Sequence, residues 1–148
     1  MRVSVFCACL PAIACVLPVV ISSVQASPAM KTIQEVVAVY PGSRLDAEGF
    51  AAQRCTSLYV MIAGGFADTD PQQRPFRELG SLFFGRAVDV QKRIDPKWAD
   101  PHEISEGMKP MVAVYVARAN EQRALTGNYM DDAVLKADER WCHKLAQK

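Results

Sequence analysis

The sequence predicts an all-helical fold: a small up-down bundle of about four helices, stapled by one disulfide and preceded by a signal peptide. Three observations lead to this prediction. Apolar residues recur at three- and four-residue spacing in four segments beyond residue 45. Glycine or proline separates these segments. Cys55 lies in the first segment and Cys142 in the last, and a bridge between them would make the two segments neighbours.

Residues 1–26 have the pattern of a secretory signal peptide. A single early arginine precedes a long apolar run without acidic residues, and Val24-Gln25-Ala26 supplies small residues where a signal peptidase cleaves. A retained membrane anchor is disfavoured by Pro11 and Pro18 within the run, and a lipoprotein signal ending at Cys15 is disfavoured by the apolar residues that continue past it. We therefore expect a periplasmic or secreted protein without a membrane segment after cleavage.

Cleavage would leave an N-terminal arm, residues 27–45, and a helical bundle domain, residues 46–148. It removes one of the 17 basic residues and leaves them equal in number to the 16 acidic ones. A chain with balanced charge gives no electrostatic reason to expect nucleic acid or an anionic membrane as a partner.

Cysteine number is the strongest indication of covalent structure. Three of the five cysteines lie in the signal peptide, so two are left in a chain bound for an oxidising compartment. Two cysteines allow one pairing, Cys55 with Cys142.

The first two helices have clear limits. The first is expected from about Asp46, with Asp46 or Ser43 as its cap, to Ala63 before a pair of glycines. The second is expected from about Pro75 to Arg93. Gly80 and Gly85 interrupt it and would let a neighbouring helix approach closely.

The second half of the chain has less regular signals. Asp100-Pro101 begins a third helix, which is expected to stop near Gly107, to kink or restart near Pro110 and to end at Gly127. Asn128 is expected to cap a fourth helix. The core face of that helix is Met130, Val134, Ala137, Trp141 and Leu145.

Two apolar runs are ambiguous. Periodicity does not distinguish a short strand from a buried helical turn over Glu35–Tyr40, and Met111–Val116 is similar. A two-stranded pairing of the two runs is the less favoured alternative, because the second run continues into a helical pattern without a turn signal.

Cys142-His143 resembles part of the C-x-x-C-H haem-attachment motif of the cytochrome c′ family, which is also a four-helix bundle. Glu139 stands where the first cysteine of the motif would be. The resemblance implies a haem-type cofactor attached near the C-terminus. An even number of cysteines in an exported chain favours the disulfide instead, so no cofactor is predicted.

Signatures of catalysis and metal binding are not found in the sequence. It contains no G-x-S-x-G elbow, no phosphate loop and no zinc-type spacing. Ser57 and the carboxylates Glu78, Asp89 and Asp138 are interpreted as parts of solvated helix faces. His102, in a helix-cap sequence, and His143 are interpreted as surface residues. We expect no enzymatic activity.

The function expected from this reasoning is the binding of another protein, as an immunity, inhibitor, chaperone or assembly factor would do. Leu82 and Phe84 lie off the apolar stripe of the second helix and form the candidate partner surface. The alternative is a carrier of a small ligand or a haem-type cofactor, held between helices by methionine and aromatic side chains. The partner and the oligomeric state are not encoded in any motif.

Overall fold

The computed structural model describes residues 29–148, so the predicted signal peptide lies outside the described residues. Within this range the chain forms helices and no strand, which confirms the all-helical class. The α-helices are α1 (Ile33–Ala38), α2 (Arg44–Gly64), α3 (Gln73–Ile94), α4 (Pro101–Thr126) and α5 (Ala133–Ala146). Single 3-10 turns lie at Pro96–Trp98, before α4, and at Tyr129–Asp131, before α5.

Side-chain caps explain where the helices begin. Ser43 accepts a hydrogen bond from the backbone N–H of Asp46, and the Asp46 carboxylate accepts one in return from the backbone N–H of Ser43. Thr32 and Glu35 form the same reciprocal pair at α1. Each pair satisfies donors that the first helical turn leaves free. The ambiguous run at Glu35–Tyr40 is therefore helical in its first part.

Helix α2 is the centre of the molecule and packs against all four other helices. Its buried side chains include Cys55, Leu58 and Tyr59, none of which is accessible to solvent. The Cys55–Cys142 disulfide joins α2 to α5, with 5.7 Å between the two Cα atoms, and confirms the predicted pairing. The two fully buried sulfurs lie in the main core.

Two glycines lie where α2 and α3 pack together, and one of them requires the absence of a side chain. A Cβ atom built on Gly49 of α2 would lie 3.0 Å from Val90 Cγ1, so a larger residue would push the helices apart. A Cβ atom on Gly80 of α3 would lie 3.7 Å from Tyr59 Cβ, which is ordinary contact. Gly85 has open space around its Cβ position, so of the two glycines predicted to admit a neighbour, Gly80 alone faces one.

The second half of the chain differs from the prediction in two places. Helix α4 runs unbroken from Pro101 to Thr126, through both Gly107 and Pro110. A proline removes one helical hydrogen bond, and the carbonyl four residues earlier belongs to exposed Glu106, where solvent reaches it. Asn128 caps the 3-10 turn rather than α5, and Asp132 caps α5 by accepting from the backbone N–H groups of Val134 and Leu135.

Candidate functional site

A buried ion pair joins the centre of α2 to α5. Arg54 is 3% exposed and Asp138 is fully buried, and an Arg54 Nη2–Asp138 Oδ2 hydrogen bond connects them. Tyr115 of α4 donates its hydroxyl to the same carboxylate oxygen at 2.6 Å and accepts from Arg54 Nε at 3.0 Å. Three helices therefore share one closed polar cluster, which we call the ionic core.

The N-terminal arm is fastened to this ionic core. The backbone N–H of Ile33 donates to Asp138 Oδ1 at 2.6 Å, and Arg54 Nη1 donates to the backbone carbonyl of Lys31 at 2.9 Å. Ile33 itself is fully buried. The arm thus supplies the hydrogen-bond partners of Asp138 Oδ1 and Arg54 Nη1, and it is held by specific hydrogen bonds as well as by packing.

Burial dominates the titration of the ionic core. It raises the pKa of Asp138, opposed by hydrogen bonds from Tyr115 and from the Ile33 backbone and by the charge of Arg54. Burial and the Asp138 charge raise the pKa of Tyr115. Every polar side-chain group of Asp138 has a donor, so the cluster has a structural explanation and offers no free acid or base to a substrate.

The interpretation of Asp138 and Ser57 as surface residues was wrong. Ser57 is fully buried, and its hydroxyl donates to the Gln53 carbonyl one turn back. Asp138 lies three residues after Leu135 and four before Cys142, both fully buried. That spacing places the carboxylate on the core face of α5, and the same spacing places Arg54 beside Ala51 and Leu58. Helical periodicity therefore indicated that both charged side chains face the core, but their polarity led to the opposite interpretation.

The described residues form an apolar groove with a volume of about 1090 Å³. Helix α2 forms its floor, and α3 and α4 form its two walls. Val60 of the floor, four residues before the end of the central helix, is 48% exposed, and Val116 on the α4 wall is 40% exposed. The remaining apolar lining includes Ala63 from α2, Phe76 and Phe84 from α3, and Met108, Val112 and Ala113 from α4.

The walls of the groove meet at one end. Val88 of α3 packs against Ile104 and Met108 of α4, with Phe84 against them. A short connection joins α3 to α4 at this end, so the two walls run antiparallel. The groove extends from this junction along both helices, towards Arg77 and Asn120.

The two residues of the predicted partner surface, Leu82 and Phe84, lie on different faces of α3. Phe84 is partly buried and lines the groove. Leu82, 42% exposed, does not belong to the lining. Residues two apart on a helix project about 200° apart, so Leu82 and Phe84 do not share one face. The groove was not found from the sequence, because its lining has the same spacing as a core stripe.

The described residues give little support for haem attachment at Cys142-His143 or for a metal site. The Cys142 sulfur is bonded to Cys55, so it is not available for a thioether link to haem. His143 is exposed, with its Nε2 atom 3.1 Å from Gln147 Nε2, and His102 is exposed beside its Asp100 cap. Residues 29–148 contain no cluster of three or more metal-ligating side chains.

Comparisons with protein-family models, with curated proteins and with solved structures found no significant match for this chain. Within residues 29–148, no helix combines the length and the apolar character needed to cross a bilayer.

Proposed function

We propose that this chain is an exported protein that acts by binding another protein, and that the groove between α3 and α4 is the binding site. The observation that carries the proposal is the exposure of Val60. A helix packed against four others buries most of its apolar side chains, whereas Val60 lies on the floor of an open apolar surface. Contiguous exposed apolar surface on a folded protein is typical of an interaction site.

The polar residues of the floor support this assignment. The Thr56 hydroxyl donates to the Ala52 carbonyl and the Ser57 hydroxyl to the Gln53 carbonyl, so both are satisfied within α2. The floor therefore presents mostly apolar surface, and the Tyr59 hydroxyl is the one buried side-chain group of the groove lining found without a hydrogen-bond partner among the described residues. Such a surface binds by excluding water, as the buried centre of a protein interface does.

An immunity, inhibitor, chaperone or assembly role is consistent with this kind of site, because each requires recognition of one protein by another and none requires a reacting group. The disulfide and the signal-peptide pattern support a site of action outside the cytoplasm.

A second candidate function is carriage of a small apolar ligand. The volume of the groove favours it, since drug-sized ligands occupy pockets of about 300–1,000 Å³. Against it, Val60 and Val116 are open to solvent, whereas carrier sites enclose most of their ligand's surface.

Photo-cross-linking in the native host tests the proposal. A photoreactive residue replaces Ala113, exposed on the groove wall, or Leu82, exposed on α3 outside the groove. We expect a discrete protein adduct at position 113 and its absence at position 82. The same adducts at both positions, or a lipid-sized adduct alone at position 113, would show that the groove is not a protein-binding site.

A further inference from the structure

We infer that the occupant of the groove is a single α-helix of about four turns from the partner protein, apolar along one face and acidic towards both ends. The inference rests on the proposed function and specifies the partner's structure and chemistry. The groove length, the absence of free backbone partners and the charges at its two ends each contribute to it.

The groove has the length of a short helix. Its lining on α4 extends from Ser105 to Asn120, and a rise of 1.5 Å per residue separates these positions by about 22 Å. A helix of about 15 residues, or four turns, covers that distance. The groove is therefore long for one compact small molecule and short for an extended domain interface.

The wall pattern matches the packing of one helix on others. The lining of α4 includes a row with one residue in every four: Met108, Val112, Val116 and Asn120. On α3 the same spacing gives Phe76, Gly80 and Phe84. Rows with this spacing form the ridges that a neighbouring helix inserts between. An added helix would lie on α2 between two such rows, in a position equivalent to a further helix of the bundle.

Backbone hydrogen bonding favours a helical occupant over an extended one. All three surfaces of the groove are helices, whose interior N–H and C=O groups already bond within each helix. An extended strand placed there would bury its own N–H and C=O groups without partners, at a cost for each group. A helix satisfies its backbone internally and needs only side-chain contacts from the groove.

The charges of the lining indicate acidic ends on the occupant. Arg77 lies near the start of α3 and Lys109 in the first half of α4, so the antiparallel walls place them at opposite ends of the groove. Arg77 donates to the Gln73 amide at 3.4 Å, and none of the ion pairs found among residues 29–148 includes it. Lys109 pairs with Glu106 at an exposed site, where such pairs contribute little. Asp68 is the one acidic residue of the lining, beside the Arg77 end.

A molecular ruler distinguishes this occupant from others. Photoreactive residues are placed singly at Lys109 and Asn120, both exposed on the α4 wall, and the cross-linked positions in the captured protein are mapped by mass spectrometry. The two sites are about 16 Å apart along α4. A helical occupant gives attachment positions about 11 residues apart, whereas an extended one gives about 5.

We expect a spacing of about 11 residues, with Asp or Glu within one turn of each end of the cross-linked segment. A spacing of about 5, basic ends, a lipid adduct or a second copy of this chain would each overturn the inference. A protein adduct with the wrong spacing refutes the helical occupant and leaves the proposed function standing. No protein adduct at either position refutes both.

Discussion

At the level of single residues, the stability of the fold depends on keeping two buried charges paired. Arg54 and Asp138 satisfy each other in the core, and Tyr115, Lys31 and Ile33 complete their hydrogen bonds. A complete cluster of this kind contributes modestly to the free energy of folding, because the cost of removing both charges from water offsets their attraction. Loss of one partner has a much larger effect, since it leaves the other charge buried alone.

The substitution Asp138→Asn tests this asymmetry. It leaves the Arg54 guanidinium without a counter-charge, so we expect the free energy of unfolding to fall by about 3–5 kcal/mol, measured by urea denaturation with the disulfide intact. The matched control is Asp89→Asn on the surface of α3, where a carboxylate lies 3.8 Å from Lys92 Nζ and is 74% exposed; its effect should be below about 0.5 kcal/mol. A loss below about 1 kcal/mol for Asp138→Asn would mean that the pair is not buried as described.

At the level of elements, local sequence determines most directly where each helix begins and ends. Ser43, Thr32 and Asp100 cap their helices because each side-chain oxygen reaches a free backbone N–H. Gly127 ends α4 in the left-handed conformation, with φ = +82°. Gly107 lies inside α4 with no atom near the position of its missing Cβ. These two glycines of one helix have opposite effects on its stability.

A matched pair of substitutions separates those effects. Gly107→Ala should raise the free energy of unfolding by about 0.4–1 kcal/mol, because alanine restricts the unfolded chain and meets no clash in the helix. Gly127→Ala should lower it by about 1–2 kcal/mol, because the residue would hold a positive φ. Thermal and urea denaturation of both variants provide the measurement. Equal signs for the two substitutions would contradict the helix limits given for α4.

The disulfide is a covalent link between two distant elements, α2 and α5, and it closes a loop of 87 residues. In the chain-entropy model, closing a loop of this length restricts the unfolded chain and raises the free energy of unfolding by about 4.6 kcal/mol. The disulfide also fixes where α5 lies along α2, since Cys55 directly follows Arg54 and Cys142 lies about one helical turn after Asp138. Cysteine parity alone predicted it.

The sequence predicted elements better than it predicted surfaces. Helical periodicity, caps and cysteine parity gave the helical class, the limits of α2 and α3 to within about two residues, and the covalent link. Asp138 was misassigned because its polarity outweighed its spacing with Leu135 and Cys142. Asn128 was misassigned because Asp132, four residues later, offers an equally good cap in a position that the intervening 3-10 turn makes available.

At the level of the whole molecule, the groove results from the arrangement of three helices and is not indicated by any single stretch of sequence. Val60 and Val116 have the spacing of core residues, and only the separation of α3 from α4 leaves them open. Such separation depends on how three helices cross, which no single stretch of sequence specifies. The same separation of α3 from α4 opens the surface that we propose as the binding site.

The most direct test of the account is the affinity of the cross-linked partner for purified Val60→Glu. Val60 is half-exposed at the floor of the groove, so a glutamate there should leave the free energy of unfolding nearly unchanged while placing an unpaired charge in the bound interface. The matched control is Leu82→Glu, a similarly exposed apolar position on a neighbouring helix outside the groove. We predict at least a roughly 100-fold loss of affinity for Val60→Glu, which corresponds to about 2.7 kcal/mol, and less than a roughly threefold change for Leu82→Glu. Unchanged affinity of Val60→Glu, with or without a loss for Leu82→Glu, would contradict the assignment of the groove as the binding site.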